Sequence, residues 1–177
     1  MALFVSQVAN KLDAKFRVSV PSSFRKAVTH DKEHFHGVMA WPGVGEAMIE
    51  ACDHRRIERI AESLDDMTHY PEDAHVRLGL ARASLAALKP LAFDINGRIL
   101  LPEEFRQHAK IVDEVLFVGV GTTFQMWQPT RYRLWEERLR SQGEKEGIHL
   151  HMRPLMGALQ PSVSREAHRH RNGGSHG

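Results

Sequence analysis

Two short segments of the sequence place an aspartate four residues before an arginine. They are Asp13 with Arg17 and Asp94 with Arg98. An aspartate at the start of a tight turn accepts hydrogen bonds from backbone N–H groups of that turn, and the arginine then begins the next strand. Such an arginine can bind guanine or phosphate, or it can fold back onto the aspartate as an ion pair. The spacing alone leaves both uses open.

The two segments belong to an internal repeat. Residues 12–25 (LDAKFRVSVPSSFR) and 93–106 (FDINGRILLPEEFR) are identical at five of fourteen positions, at an offset of 81. The tripeptide Gly43-Val44-Gly45 recurs as Gly119-Val120-Gly121 at an offset of 76. Because the matched residue types fix turns and helix starts, we expect one supersecondary unit to be used twice. Units of this size bury little surface alone, which favours oligomerisation.

Local patterns predict an α+β fold that is rich in β-structure. Proline followed by polar residues predicts short helices after Pro21 and Pro102. Asp53 is the predicted cap of a longer amphipathic helix, Pro129 is the predicted first residue of another, and Gly143 is the predicted end of the second of these. Extended segments are predicted at residues 4–12, 18–20, 34–41, 47–51, 99–101, 115–120 and 123–127.

These patterns divide the chain into a first module, a connecting helix and linker, a second module and a tail. The tail mixes proline, serine, glycine, histidine and arginine with few bulky apolar residues, so we expect it to be disordered and basic. We refer to the two modules as the first copy and the second copy. The predicted bounds are 1–70, 71–90, 91–143 and 144–177.

Charge is unevenly distributed over the chain, although the net charge is only +2. Residues 1–30 hold five Lys/Arg against one acid, whereas residues 31–92 hold seven against eleven. A basic face on the first copy indicates an anion-binding surface, and a solvated charged surface is the plainer alternative. We expect the first copy to supply most of the electrostatic affinity for a polyanion.

Composition argues for a reducing, non-membrane environment. Cys52 is the single cysteine, so no intramolecular disulfide and no multi-thiolate metal site is possible. No leader pattern and no apolar stretch of about 18 residues are present, which predicts a cytoplasmic protein without a membrane partner.

Metal, cofactor and enzyme chemistry are not favoured by the sequence. Histidines cluster without a third ligand at suitable spacing, and no His-Glu-x-x-His occurs. The Gly119–Gly121 tripeptide does not continue as a phosphate-binding loop, and no set of nucleophile, base or paired carboxylates is evident. We therefore predict no metal, no cofactor and no enzyme activity. The clustered histidines are His30, His34, His36, His149, His151, His168 and His170.

The paired D-x-x-x-R-x-x-x-P-x-x-F-R segments, the Gly-Val-Gly region and the run Phe124–Trp127 resemble the MraZ family. The resemblance covers about residues 1 to 142. It implies two SpoVT/AbrB-type swapped-hairpin modules in a ring-forming homo-oligomer. It also implies a nucleoid-associated transcriptional regulator, usually a repressor of its own division and cell wall operon, that binds direct repeats in double-stranded DNA.

By that resemblance the two Asp-x-x-x-Arg turns face DNA. The implied DNA-binding residues combine base-reading and phosphate-binding side chains, with Arg25, Lys26 and Arg106 as supporting phosphate contacts or intramolecular partners. The implied contacts are Lys15, Arg17, Arg25, Lys26, Asn96, Arg98 and Arg106, with Asp13, Asp94 and Gly97 structuring the turns.

The sequence departs from the family pattern at the first turn. Phe16 stands where such turns commonly have glycine, so that turn either differs in type, accepts backbone strain, or buries the ring at an interface. Ala14 and Ile95 place apolar side chains beside the same surface. Two alternatives stay open: a ring-forming scaffold that binds protein and no nucleic acid, and an antitoxin-type regulator.

Overall fold

The computed structural model describes residues 3–28, 35–65 and 74–147. In these ranges the first copy contains β1 (Gln7–Lys11), β2 (Arg17–Ser19), α1 (Ser22–Ala27), β3 (Gly37–Pro42), β4 (Ile49–Cys52) and α2 (His54–Asp65). The helix α3 (Ala74–Ala86) lies within the segment predicted to connect the copies. The remaining elements are β5 (Lys89–Ala92), β6 (Arg98–Leu100), α4 (Glu103–Ala109), β7 (Glu114–Gly119), β8 (Thr123–Trp127) and α5 (Pro129–Lys145).

The α+β, β-rich fold class is confirmed. Six strands form an antiparallel sheet in the order β1-β7-β8-β4-β3-β5, and β2 pairs with β6 in a two-stranded ribbon. The arrangement is symmetric with respect to the repeat, because β1 of the first copy pairs with β7 and the corresponding strand β5 pairs with β3. The first strand of each copy thus pairs with a strand of the other copy. The module bounds themselves stay a prediction, and β5 begins at Lys89, ahead of residue 91.

The core contains phenylalanines from both copies. Phe24 of α1 contacts the rings of Phe4, Phe117 and Phe124, with ring centroids 5.5, 6.3 and 5.2 Å away. All four rings are buried. Since Phe117 and Phe124 belong to β7 and β8, burial of α1 requires strands of the second copy.

The predicted helix starts agree with the structure, and one predicted helix end is wrong. The short helices begin at Ser22 and Glu103, directly after their prolines, and α2 begins directly after Asp53. Gly143 does not end α5, which continues to Lys145. The left-handed glycine that follows the helix is Gly147, at φ 68°, a conformation that commonly ends helices.

The chain divides into two compact units, Met1–Leu134 and Trp135–Gly177. The first unit holds all eight strands given above, and the described part of the second is the end of α5 with residues 146 and 147. The expected disordered tail falls almost wholly beyond residue 147 and therefore outside the described residues. None of the helices in the described ranges has the length and apolar character needed to cross a membrane.

Candidate nucleic-acid interface

The first Asp-x-x-x-Arg segment forms a turn closed by backbone hydrogen bonds. Phe16 N donates to the carbonyl of Asp13 at 2.9 Å, and Asp13 N donates to the carbonyl of Arg17 at 2.9 Å. The carboxylate oxygen Oδ1 of Asp13 accepts hydrogen bonds from the backbone N–H groups of Lys15 and Arg17, each at 2.9 Å. The aspartate therefore fixes the turn from inside, as an Asx turn does.

The second segment repeats these bonds. Gly97 N donates to the carbonyl of Asp94 at 2.8 Å, and Asp94 N donates to the carbonyl of Arg98 at 2.8 Å. Oδ1 of Asp94 accepts from the N–H groups of Asn96 at 2.9 Å and Arg98 at 3.0 Å. The two turns have the same hydrogen bonds although only their first and last residues are identical.

Phe16 and Gly97 occupy the same place in the two turns. Their φ angles are 59° and 71°, both in the left-handed region. The sequence left open whether the first turn differs in type or accepts backbone strain. The structure shows that the turn keeps its type and that Phe16 adopts an unfavourable backbone conformation, since a bulky residue rarely occupies this region. Phe16 as a whole residue is 43% exposed within the chain.

The β2–β6 ribbon places the two turns beside each other. Val18 pairs with Ile99 at its centre, and both side chains are buried. Because side chains alternate along a strand, Arg17 and Arg98 lie on the opposite, outer face of the ribbon. Each turn is also hydrogen-bonded to the other copy: Val20 N donates to the carbonyl of Gly97, and the matching bond runs from Leu101 N to the carbonyl of Phe16, both at 3.0 Å.

Four charged side chains meet on the outer face, and we call Asp13, Arg17, Asp94 and Arg98 the Asp–Arg cluster. Arg17 Nη2 lies 2.7 Å from Asp13 Oδ2, and Arg98 Nε lies 2.7 Å from Asp94 Oδ2. Crossed ion pairs join the copies, with Arg17 Nη1 3.9 Å from Asp94 and Arg98 Nη1 3.7 Å from Asp13. The side chains of Arg17 and Arg98 are 32% and 27% exposed. The arginines thus pair with carboxylates while keeping part of their surface open to solvent.

These contacts lower the pKa of both carboxyl groups. The side-chain hydrogen bond from Arg17 is the largest cause of a pKa of about 2 for Asp13, against an ordinary value of 3.8. Hydrogen bonding from the backbone N–H of Arg98 is the largest cause of the lowered pKa of Asp94. The cluster therefore holds two negative and two positive charges at neutral pH, and its charges cancel.

The arginines of the two Phe-Arg pairs each lie against the turn of the other copy. Arg106 of α4 stacks on the Phe16 ring, with its guanidinium carbon 3.6 Å from the ring centroid, and its Nε donates to the carbonyl of Leu101 at 3.3 Å. Arg25 of α1 lies against Gly97 so closely that a methyl group there would come within 1.8 Å of Arg25 Nη1. Arg25 Nε is buried and finds no hydrogen-bond partner among the described residues.

The remaining implied contacts, Lys15, Lys26 and Asn96, are exposed, as are Ala14 and Ile95 of the turn tips. Lys26 also lines an open groove of about 540 Å³ beside α2. The arginines of that groove were not predicted as site residues from the sequence, although their spacing on one helix could have indicated them. Its charged lining residues are Lys26, Asp53, Arg55, Arg56, Glu58, Arg59 and Glu62, so the groove is of mixed charge.

Metal-ligand geometry is absent from the part of the chain that the structure describes, where no three His, Cys, Asp or Glu residues come together. His36 packs edge-on against Phe93 at 5.0 Å between ring centroids. The other histidines of the predicted clusters, from His30 to His170, lie outside the described residues.

Two copies of one turn-bearing unit, exchanging strands and displaying paired Asp-x-x-x-Arg turns, define a tandem swapped-strand class of protein. The model of the family described as "MraZ protein, putative antitoxin-like" matches residues 86–147. A protein of Pelagibacter ubique is 39% identical over 130 residues, covering 73% of this chain and 81% of the relative. One of Rickettsia bellii is 36% identical, covering 75% and 86%, and one of Beijerinckia indica is 35% identical, covering 91% and 95%. Each bears the name "Transcriptional regulator MraZ". The chain belongs to the MraZ family.

Proposed function

We propose that this chain regulates transcription by binding double-stranded DNA sequence-specifically through its paired Asp-x-x-x-Arg turns. The observation that carries the proposal is the pair of identically hydrogen-bonded turns, held side by side by the β2–β6 ribbon with exposed polar side chains at their tips. The names of the relatives support the regulatory class. We further propose that the chain represses its own division and cell wall operon.

The roles within the interface follow from charge and hydrogen-bonding capacity. Lys15 at the exposed tip of the first turn binds phosphate, and Asn96 at the tip of the second can pair with adenine through two hydrogen bonds. Arg17 and Arg98 present their open edges to the groove, and the Asp–Arg cluster sets their direction. Because the cluster has no net charge, the attraction for DNA comes from cations outside it, such as Lys15 and Lys26.

Gly97, Asp13 and Asp94 have a different task in this proposal. They build the turns and do not touch DNA, since a carboxylate beside a phosphate is repelled unless it is paired. Arg25 acts as an intramolecular partner, because its guanidinium lies against Gly97 and its Nε is buried.

Assembly belongs to the same proposal. The copies are small, and a homo-oligomeric ring would place several pairs of turns along one face of a duplex. Direct repeats in the promoter should then be spaced by one helical turn or a multiple of it, because modules on one surface meet the same groove once per turn. A place beside the nucleoid in the cytoplasm would follow from this partner.

Fluorescence anisotropy with a labelled duplex from upstream of the chain's own gene tests the proposal, with a scrambled duplex as control. The wild-type chain should bind the upstream duplex more tightly, and log affinity should fall with log salt by about 0.9 per phosphate neutralised. Asn96→Ala should lose about 1 to 3 kcal/mol of discrimination, whereas Lys15→Ala should weaken binding to every duplex. Lys145→Ala removes one positive charge outside the turns and serves as the matched control.

Failure to bind any duplex at low salt would contradict the proposal and favour the protein-binding scaffold. Equal binding of the upstream and scrambled duplexes would contradict sequence specificity.

A further inference from the structure

The two turns differ in a way that their hydrogen bonds do not require. Gly97 shows that glycine satisfies the left-handed position, and the bonds around Phe16 are the same without any contribution from its ring. An aromatic residue there accepts a backbone conformation that glycine adopts without cost. Phe16 is 43% exposed, so packing in the core of the chain does not account for an aromatic residue at this position.

The ring of Phe16 contacts a charged side chain, that of Arg106. The guanidinium of Arg106 lies over its face at 3.6 Å from the centroid, a distance typical of stacking between arginine and an aromatic ring. The Nε of Arg106 is engaged by the carbonyl of Leu101. Among the residues that the structure describes, no carboxylate lies within 4.0 Å of this guanidinium. Among those residues, the two terminal nitrogens of Arg106 therefore have no acidic partner. The stacking on Phe16 and the hydrogen bond to Leu101 fix the direction of the guanidinium.

The corresponding arginine of the first copy is placed differently. Arg25 lies directly against the backbone of Gly97, in space that a side chain would fill, and its Nε is buried. Arg106 instead stacks on the ring of Phe16. The corresponding arginines Arg25 and Arg106 thus contact different groups, because the turn position that is Gly97 in the second copy is Phe16 in the first.

We propose that Phe16 is a positioning residue that holds Arg106 for contact with a phosphate of the DNA backbone beside the first turn. This inference rests on the proposed function. A stacked guanidinium loses less side-chain freedom on binding than a solvated one, and its planar edge suits two phosphate oxygens. Arg106 also supplies a positive charge that the neutral Asp–Arg cluster does not, over the ring of Phe16, the residue that follows the exposed Lys15 in the chain.

Binding of four variants to the upstream duplex, measured over about 50 to 200 mM salt, tests the inference. Arg106→Ala should weaken binding roughly five- to tenfold and lower the log-log salt slope by about 0.9, for the upstream and scrambled duplexes alike. Phe16→Leu keeps an apolar side chain without a ring and should cause a similar loss of affinity. Phe16→Tyr keeps an aromatic ring and should bind DNA as tightly as wild type. In the double variant Phe16→Leu/Arg106→Ala the loss should equal that of Arg106→Ala alone.

Arg25→Ala is the matched control, and its effect on affinity should be smaller than that of Arg106→Ala. Circular dichroism and thermal unfolding establish that each variant is folded. Wild-type affinity and salt slope in Phe16→Leu would overturn the inference. The inference would also be overturned if adding Phe16→Leu to Arg106→Ala lowered the affinity for DNA as much as Phe16→Leu does alone. Phe16 would then act on DNA directly. Loss of discrimination between duplexes with an unchanged salt slope in Arg106→Ala would also overturn it.

These outcomes separate the two proposals. A wild-type chain that binds the upstream duplex while the variants behave like wild type overturns only the role of Phe16. A wild-type chain that binds no duplex overturns the proposed function and this inference together.

Discussion

Arg98 Nη1 lies 3.7 Å from Oδ2 of Asp13, a residue of the other copy. The reciprocal pair, Arg17 with Asp94, is 3.9 Å apart. Each guanidinium therefore lies between the carboxylate of its own turn and that of its neighbour. The two turns are consequently linked through side chains as well as through the β2–β6 ribbon, and a change in one turn affects the environment of the other.

The first prediction concerns acid stability. Since the pKa of Asp13 is about 2 in the folded chain and 3.8 is its ordinary value, its stabilising contribution is complete above pH 3.8 and is lost as the pH falls toward 2. Asp94, whose pKa is also lowered, adds to the same loss. Urea unfolding of wild type and of the double variant Asp13→Asn/Asp94→Asn across this range should give a flatter pH dependence for the variant. Parallel curves for the two proteins would contradict the assignment.

The second prediction concerns the turn glycine. Gly45 and Gly97 both have positive φ, but an added methyl group meets nothing at Gly45 and meets Arg25 at Gly97. Gly45→Ala should lower the free energy of unfolding by about 1 to 2 kcal/mol, from backbone conformation alone. Gly97→Ala should lower it further, by roughly another 1 kcal/mol, because Arg25 must move. Chemical unfolding measures both changes.

An Arg25→Ala background provides the control for the glycine pair. There the cost of Gly97→Ala should approach that of Gly45→Ala, since the clash with the guanidinium is gone. A cost for Gly97→Ala that does not depend on Arg25 would refute the packing argument.

The third prediction concerns cooperativity. Phe24→Ala should reduce the free energy of unfolding by about 3 to 5 kcal/mol, because the ring packs among three other buried rings. Variants that retain a single tryptophan, Trp41 in β3 or Trp127 in β8, report on strands of different copies. Their fluorescence should change at one common midpoint, since the sheet contains strands of both copies. Two separate midpoints would show that the copies unfold independently.

The fourth prediction concerns Cys52. Its side chain is fully buried in β4, and burial is the largest cause of a thiol pKa of about 12. An aromatic disulfide reagent should therefore label the native protein very slowly, and denaturant should accelerate labelling greatly. Fast labelling of the folded protein at about pH 8 would show that the thiol is accessible.

Much of the local structure follows from the spacing of residues. The helix starts after Pro21 and Pro102 depend on interactions within a few positions, which is why the repeat predicts them correctly. A helix end is less well determined by its own residues: Gly143 can stay helical, and the turn out of α5 falls at Gly147. MraZ family membership was recognisable at the same level, because paired motifs at a fixed offset are a property of the sequence itself.

The sequence by itself determined that one unit is used twice and that each copy carries an Asp-x-x-x-Arg turn. Tertiary structure alone decided that the copies exchange β1 and β5, that each arginine of the Asp–Arg cluster faces carboxylates of both copies, and that Arg106 rests on Phe16. These contacts join residues that lie between about 50 and 110 positions apart in the sequence, at distances set by strand pairing and core burial. Spacing along the chain carries no information about such distances, so only the packed fold could fix them.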